Sequence, residues 1–211
     1  MGKYITEFIG SFFLVFVAVL TNNPLAIGAV LMVMVFAGGH ISGAHYNPAV
    51  TLAVLVRGKI SPPHAVVYIV VQFIAAVIAA VLAKWFLGEL NTPATMDLSN
   101  RVLKAFCAEL IGTFALAYVV LNVATSKGTT GNSFYGLAIG FTVFTMATTF
   151  GSISGGAFNP AVAVGATIAN AFALKNIWLY LVACSGAGLC AGWVFNLVNP
   201  EDRPVPPLPR A

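Results

Sequence analysis

One ten-residue stretch occurs twice in this chain, as Ile41-Ser42-Gly43-Ala44-His45-Tyr46-Asn47-Pro48-Ala49-Val50 and as Ile153-Ser154-Gly155-Gly156-Ala157-Phe158-Asn159-Pro160-Ala161-Val162. Seven of the ten positions are identical, and apolar segments flank both copies. Asn before Pro is a helix-start signal: the Asn side chain caps free N–H groups, and proline fits the first helical position. A lone Asn-Pro pair can be no more than a turn. Two matching copies between hydrophobic segments predict something narrower, a loop that opens a short helix at Asn47 and again at Asn159.

The surroundings of those loops are not aqueous. The 211 residues are 59% hydrophobic and only 8% charged, too few charges to cover a globular surface in water, so lipid must solvate most of the chain. The first apolar segment, Phe8 to Leu20, has Glu7 at its start and no small-residue cleavage pattern after it, and reads as a retained span. A net charge of +4 is scattered through short loops, and no basic cluster points to nucleic acid. Cys107, Cys184 and Cys190 lie in apolar segments without metal-ligand spacing. His40 and His45 are separated by a glycine-containing loop, unlike helical ligand pairs, and neither a metal nor another cofactor is expected.

Six apolar segments read as membrane spans: Tyr4–Leu20, Leu25–Phe36, Ala65–Ala83, Val102–Ala124, Phe134–Phe150 and Ile177–Val198. The second is expected to break at Gly38-Gly39. The segments opened by Asn47 and Asn159 end near Val56 and Ala169, about half the length that spans lipid, so they dip in and stop. Ala75, Ala76, Ala79 and Ala80, and likewise Gly188 and Gly192, give small-residue faces for close helix packing. Residues 90–99 form a polar connector, and 199–211 a Pro-rich tail expected to be loosely ordered.

The halves repeat. Glu7-Phe8-Ile9-Gly10 matches Glu109-Leu110-Ile111-Gly112 at an offset of 102, while Gly28 with Gly140, and Asn47 with Asn159, match at 112. Each half, 1–89 and 101–198, holds three spans and one half-helix of a single channel domain, 1–211. An odd number of crossings per half inverts the second copy in the membrane. The expected architecture is an all-α membrane protein with six transmembrane helices and two re-entrant half-helices entering from opposite faces. With the N-terminus inside, six cations (Lys3, Arg57, Lys59, Lys127, Arg203, Arg210) lie inside against four outside (Lys84, Arg101, Lys104, Lys175), which favours cytoplasmic termini.

Opposed helix N-termini put partial positive charge at mid-bilayer beside the Asn47 and Asn159 amides, which can donate to a solute oxygen. Loop carbonyls before each half-helix offer acceptors. Such a route suits small uncharged solutes and opposes cations.

The paired Asn-Pro-Ala motifs, His40-Ile41-Ser42-Gly43, and the Glu-x-x-Gly starts at Glu7 and Glu109 resemble the major intrinsic proteins, aquaporins and aquaglyceroporins, over nearly the whole chain. The resemblance implies a homotetramer with one pore per subunit in a cell membrane. It also implies that Glu7, Glu109 and His40 brace the re-entrant loops. Where the family usually has a filter arginine, this chain has Val162, and the companion filter positions are Ile27, Ala147 and Gly156. A filter of that composition is wider and apolar, similar to members that pass glycerol, urea or neutral metalloid hydroxides, and to a bacterial branch linked to arsenicals in which Val replaces the Arg. Ala163, where glycerol channels usually carry Asp, and the absence of long loop insertions fit that group less well, so a strict water channel is the alternative. Lys175 as a substitute for the missing Arg, a proton-coupled transporter using Glu7 or Glu109, and a closed structural protein are rival readings.

Overall fold

The same two letters, Asn-Pro, start three of the eight α-helices among the described residues. In the computed structural model, which describes residues 1–88 and 94–203, the helices are α1 (Gly2–Thr21), α2 (Pro24–Ser42), α3 (Pro48–Val56), α4 (Pro62–Leu87), α5 (Val102–Thr125), α6 (Tyr135–Ser154), α7 (Pro160–Ile168) and α8 (Ile177–Val198). Asn23 caps α2 by accepting from the Leu25 and Ala26 N–H groups at 2.9 and 3.1 Å. Asn47 and Asn159 cap α3 and α7 in the same way. Six helices are long and apolar enough to cross a membrane, and α3 and α7, nine residues each, are not. Among the described residues there is no strand, only an isolated bridge between Met96 and Phe172.

The expected break at Gly38-Gly39 is corrected: α2 continues to Ser42. Lipid offers no substitute hydrogen bonds, so breaking the helix there would cost more than the weak helix preference of glycine. The turn comes at Gly43, whose φ of +86° suits a residue without Cβ, and at Gly155 (φ +94°) in the second half.

Apolar side chains such as Val66, Val70, Ile74 and Val81 cover the outside of α4, while Ala75, Ala76, Ala79, Ala80 and Ala83 are buried. This inverts the pattern of a soluble helix and leaves small residues to set helix separation. The alanine face of α4 packs on α1 and α7. The corresponding face of α8 receives α3: a methyl group on Gly188 would collide with the Ala49 carbonyl, and one on Gly192 would lie 2.8 Å from the Ala53 oxygen. Between the halves, α2 and α6 cross at Gly28 and Gly140, where a methyl on Gly28 would stand 2.6 Å from the Gly140 oxygen.

Two sequence expectations about the termini's face change. Arg57 is not a free loop cation: it is 2% exposed, stacks 4.8 Å from the Phe195 ring centroid and meets Asp202 at 3.4 Å. The first part of the tail is ordered, with a 3-10 turn at Pro200–Asp202. Asp202 accepts from Ser126 Oγ at 2.8 Å and from the Lys127 N–H, tying the chain end to the α5–α6 loop and to the end of α3. A charge removed from water must be compensated, and the folded chain brings Asp202 to Arg57 to do so. The remainder of the tail and part of the 90–99 connector lie outside the described residues.

Two outcomes follow from this packing. Gly188→Val should prevent α3 from seating on α8 and destabilise the protein by about 1–3 kcal/mol or more, read as a lower unfolding temperature in detergent. The Asp202 carboxyl is held below the usual carboxylate range, first by the Ser126 hydroxyl and then by the Lys127 N–H, Arg57 and Lys127, with burial opposing. A depressed pKa gives stability that is complete above the unfolded value and is lost only as pH falls through the folded one. The stability difference between wild type and Asp202→Asn should therefore be constant from neutral pH to about pH 4 and close below it.

Candidate functional site

The middle of each doubled stretch, residues 43–47 and 155–159, folds into a short non-helical loop inside the helix bundle, and its backbone needs partners that lipid cannot supply. Two buried carboxylates provide them. Glu7 accepts the His45 N–H at 2.9 Å and the Ser42 hydroxyl at 2.7 Å on one oxygen, and the Tyr46 N–H at 2.8 Å and Gln72 amide at 2.9 Å on the other. Glu109 accepts the Ala157 N–H at 3.0 Å and the Ser154 hydroxyl at 2.6 Å, then the Phe158 N–H at 2.7 Å and the Cys184 thiol at 3.5 Å. The glycine three residues after each Glu makes room for a loop aromatic. A methyl on Gly10 would strike the Tyr46 ring, and one on Gly112 the Phe158 ring. Glu-x-x-Gly is therefore one device: the acid holds the loop backbone and the glycine admits its side chain.

With the N–H groups bound from behind, the loops take left-handed conformations at Ala44, Tyr46 and Phe158 (φ +50°, +49° and +48°) as well as at glycines. Such angles cost about 1–2 kcal/mol at a residue with Cβ and are maintained by the carboxylate bonds. Tyr68 and Tyr180 donate to the Ser42 and Ser154 carbonyls where the loops begin. Between these anchors and the Asn residues, the carbonyls of residues 43–45 and 155–157 accept no hydrogen bond among the described residues. Ala44, His45, Gly155, Gly156 and Ala157 all line a cavity of about 640 Å³.

The two loops meet at their ends. Asn47 Nδ2 donates to the Phe158 carbonyl at 2.9 Å, and Asn159 Nδ2 donates to the Tyr46 carbonyl at 2.9 Å. Each Asn oxygen meanwhile caps its own helix, accepting from Ala49 at 2.8 Å and from Ala161 at 2.9 Å. One of the two N–H groups of each amide is thus engaged, which leaves the other for a solute. Both residues line the cavity.

That cavity begins at the connector face beside Asn22, Pro24, Asp97 and Arg101 and reaches both Asn residues. Ile27, Ala147, Gly156 and Val162 all lie on its wall, so four residues from α2, α6, the second loop and α7 converge. Much of the remaining lining is apolar, including Leu14, Leu31, Val50, Ile139 and Val143. A second cavity of about 240 Å³, bordered by Ser42, Gly43, Lys59, Ala124 and Thr125, shares His45 and Val120 with the first and opens toward the termini's face. The two cavities meet at His45 and Val120 and together run from the connector face past both Asn residues toward the termini's face.

The structure differs from the sequence expectation at His40. This residue is exposed on the last turn of α2, and its side chain makes no hydrogen bond among the described residues. The reason is geometric: α2 runs on to Ser42, so residue 40 is still helical and precedes the loop. The histidine inside the loop is His45, 7% exposed, with Nδ1 at 3.1 Å from Thr51 Oγ1. Lys175 is exposed and does not line the cavity; the cation that does is Arg101, which the sequence reading treated as a loop charge. Ser42, Gln72, Ser154 and Cys184 were also missed as ligands of the carboxylates. The offset of 112 carries Ser42 to Ser154, Tyr68 to Tyr180 and Gln72 to Cys184, and following it beyond the doubled stretch finds them. Neither Glu7 nor Glu109 borders either cavity, and no group of metal-binding side chains occurs among the described residues.

An inverted pair of membrane-spanning repeats enclosing a passage between two re-entrant helices defines a channel. Residues 1–195 match the major intrinsic protein family, and the chain belongs to it. It is an integral membrane protein and a passive channel for small solutes, not an enzyme. Among relatives, a glycerol uptake facilitator protein-like 6 from Lactiplantibacillus plantarum is 35% identical over 96% of this chain and all of its own length. Nodulin-26 from Glycine max is 32% identical over 97% of this chain and 80% of its own. The crystal structure of the aquaglyceroporin from Plasmodium falciparum has the same fold, with a TM-score of 0.79 at 22% identity over 95% of this chain and 97% of that one.

Exchanging Glu109 for Gln puts an NH₂ group against at least one loop donor, and each unpaired buried donor costs about 1–3 kcal/mol. Glu109→Gln should lower the unfolding temperature and the water permeability together. Wild-type values for both would mean that something other than this carboxylate holds the second loop.

Proposed function

We propose that the channel conducts water together with larger uncharged solutes: glycerol and urea, and neutral metalloid hydroxides such as undissociated arsenous acid. The observation that carries this reading is the composition of the cavity wall at Ile27, Ala147, Gly156 and Val162, on the cavity that also reaches the paired Asn residues. Ile27, Ala147, Gly156 and Val162 form the selectivity filter, with no charge and, apart from Ile27, little bulk. An arginine there holds water by fixed N–H donors and excludes solutes by its size; valine does neither. A polyol can face the free carbonyls of residues 43–45 and 155–157 with its hydroxyls and the apolar lining with its carbons. The name of the Lactiplantibacillus plantarum relative, a glycerol uptake facilitator-like protein, supports the same solute class.

The amides of Asn47 and Asn159 act as the mid-membrane donors, and the helix N-termini behind them disfavour cations. Glu7 and Glu109 act as loop braces and not as proton relays: their oxygens are taken up by loop and neighbouring donors, and neither faces the passage. Assembly as a homotetramer with one passage per subunit, in the cell membrane with both termini cytoplasmic, belongs to the same reading. The orientation is supported by the excess of Lys and Arg in the loops on the termini's side.

Purified protein in proteoliposomes, challenged with sucrose, glycerol and urea gradients and with arsenous acid uptake, tests the reading. Rapid water flow with glycerol and urea shut out would make it a strict water channel instead. Val162→Arg should reduce glycerol and urea permeability by about tenfold or more, the range a change in pocket shape gives, with water flow retained. Unchanged solute flow in that variant would locate the constriction elsewhere.

A further inference from the structure

The four proposed filter positions carry no cation, and the cavity wall offers one elsewhere. We propose that Arg101, in the connector before α5, supplies the positive charge that keeps cations out of the passage. The inference rests on the reading of Val162 as part of an apolar constriction.

Arg101 is the cationic residue on the wall of the larger cavity, at its connector-face mouth. Its guanidinium is fixed by two carbonyls: Nε donates to Asp97 O at 2.9 Å, and Nη1 donates to Ser152 O at 3.0 Å. Ser152 lies in the last turn of α6, where the helix leaves carbonyls without internal donors and its dipole favours a cation. The remaining N–H groups of the fork are not used by these bonds. Asp97 borders the same mouth: its backbone carbonyl accepts from Arg101, and its carboxylate accepts the Ser99 N–H at 2.9 Å and the Ser99 hydroxyl at 2.6 Å. After those bonds, the charges of Arg101 and Lys175 also favour its ionised form, so Arg101 acts beside one carboxylate whose charge it has to outweigh. Lys175, on the turn after α7, adds positive charge near Asp97.

Height in the passage follows from α6. Ser152 is five residues beyond Ala147, so the clamp sits about 7–8 Å outward of the filter along the helix axis at 1.5 Å per residue. That is about one screening length at physiological ionic strength, close enough for a fixed charge to act on an ion entering the filter. It is also far enough to leave the filter wide. Selection by size and selection by charge, combined in one side chain when an arginine occupies the filter, are here divided between Val162 and Arg101.

The bland role for Arg101 is to cap α6 and pin the connector, and the experiment separates the two. Full-length protein is reconstituted in vesicles. Potassium leak is read with an entrapped indicator and divided by the water permeability of the same vesicles, which counts folded channels. Arg101→Gln should raise the ratio by about threefold to thirtyfold, the effect of one charge at this distance between bulk water and a protein surface. Arg101→Lys should stay near wild type, and Val162→Arg added to Arg101→Gln should bring the leak back down. Thr148→Glu, one turn before Ser152 on the cavity wall, leaves the clamp intact, opposes its charge, and should raise the leak even if Arg101→Gln does not fold. An unchanged ratio in Arg101→Gln, an equal leak in the Gln and Lys variants, or an unchanged ratio in Thr148→Glu overturns the inference. Glycerol flow through the wild type is measured alongside: its absence refutes the wide-filter reading, whereas its presence with an unaltered leak refutes only the role of Arg101.

Discussion

A backbone that leaves its helix inside a bilayer has to find a partner for every N–H, and in this protein two carboxylates meet that demand. Glu7 and Glu109 each bind two consecutive loop amides and a serine hydroxyl. Everything that makes a passage follows from this. Once the N–H groups are held from the outer side, the carbonyls turn inward, the left-handed angles become tolerable, and each loop ends with its asparagine aimed at the other. The energetic scale favours the arrangement strongly, because unsatisfied backbone groups in hydrocarbon cost several kcal/mol apiece. Ionised carboxylates are strong acceptors, suited to holding a strained loop extended beside the cavity.

The repeat is close but not perfect, and the differences fall on one side. Glu7 is backed by Gln72, which also donates to Thr51 Oγ1 at 3.0 Å, and Thr51 in turn contacts His45. Glu109 has Cys184 at the matching place, a weaker donor that continues into no comparable chain. Tyr46 reaches Met34 O with its hydroxyl at 3.0 Å, whereas Phe158 has no hydroxyl to do so. Both loops are held by their carboxylates, but the bonds around the first extend into a longer polar network. The cavity has its polar side chains accordingly: His45 stands at the junction with the smaller chamber, while Ala157 takes the matching position in the other loop.

The spans, the two half-helices and their inversion were readable from the chain, because a membrane enforces length and internal hydrogen bonding with little tolerance. The paired Asn residues were readable because their spacing repeats. What escaped the sequence reading depended on partners far away in the chain. The continuation of α2 through Gly38-Gly39 reflects lipid, against local preference. His40 and His45 compete for one role, and only the true end of α2 decides between them. The Arg57–Asp202 pair joins positions whose flanking residues suggest surface loops. Arg101 lies in a connector with no counterpart in the doubled stretch, so no repeat pattern points to it.

The packing of α3 on α8 and of α7 on α4 has a consequence for how the molecule comes together. Each re-entrant segment is housed by the closing span of the opposite or preceding half, and Asn196 near the end of α8 donates to Val56 O at 2.9 Å, at the tip of α3. A ribosome that has delivered only the first hundred residues has therefore made a half-helix with no cradle, its Arg57 still awaiting Asp202. Insertion of the early spans and completion of the passage are separate events, and the second waits for α8 and Asp202 to be synthesised. A lone half, to bury its own short helix, would need a second copy turned upside down beside it.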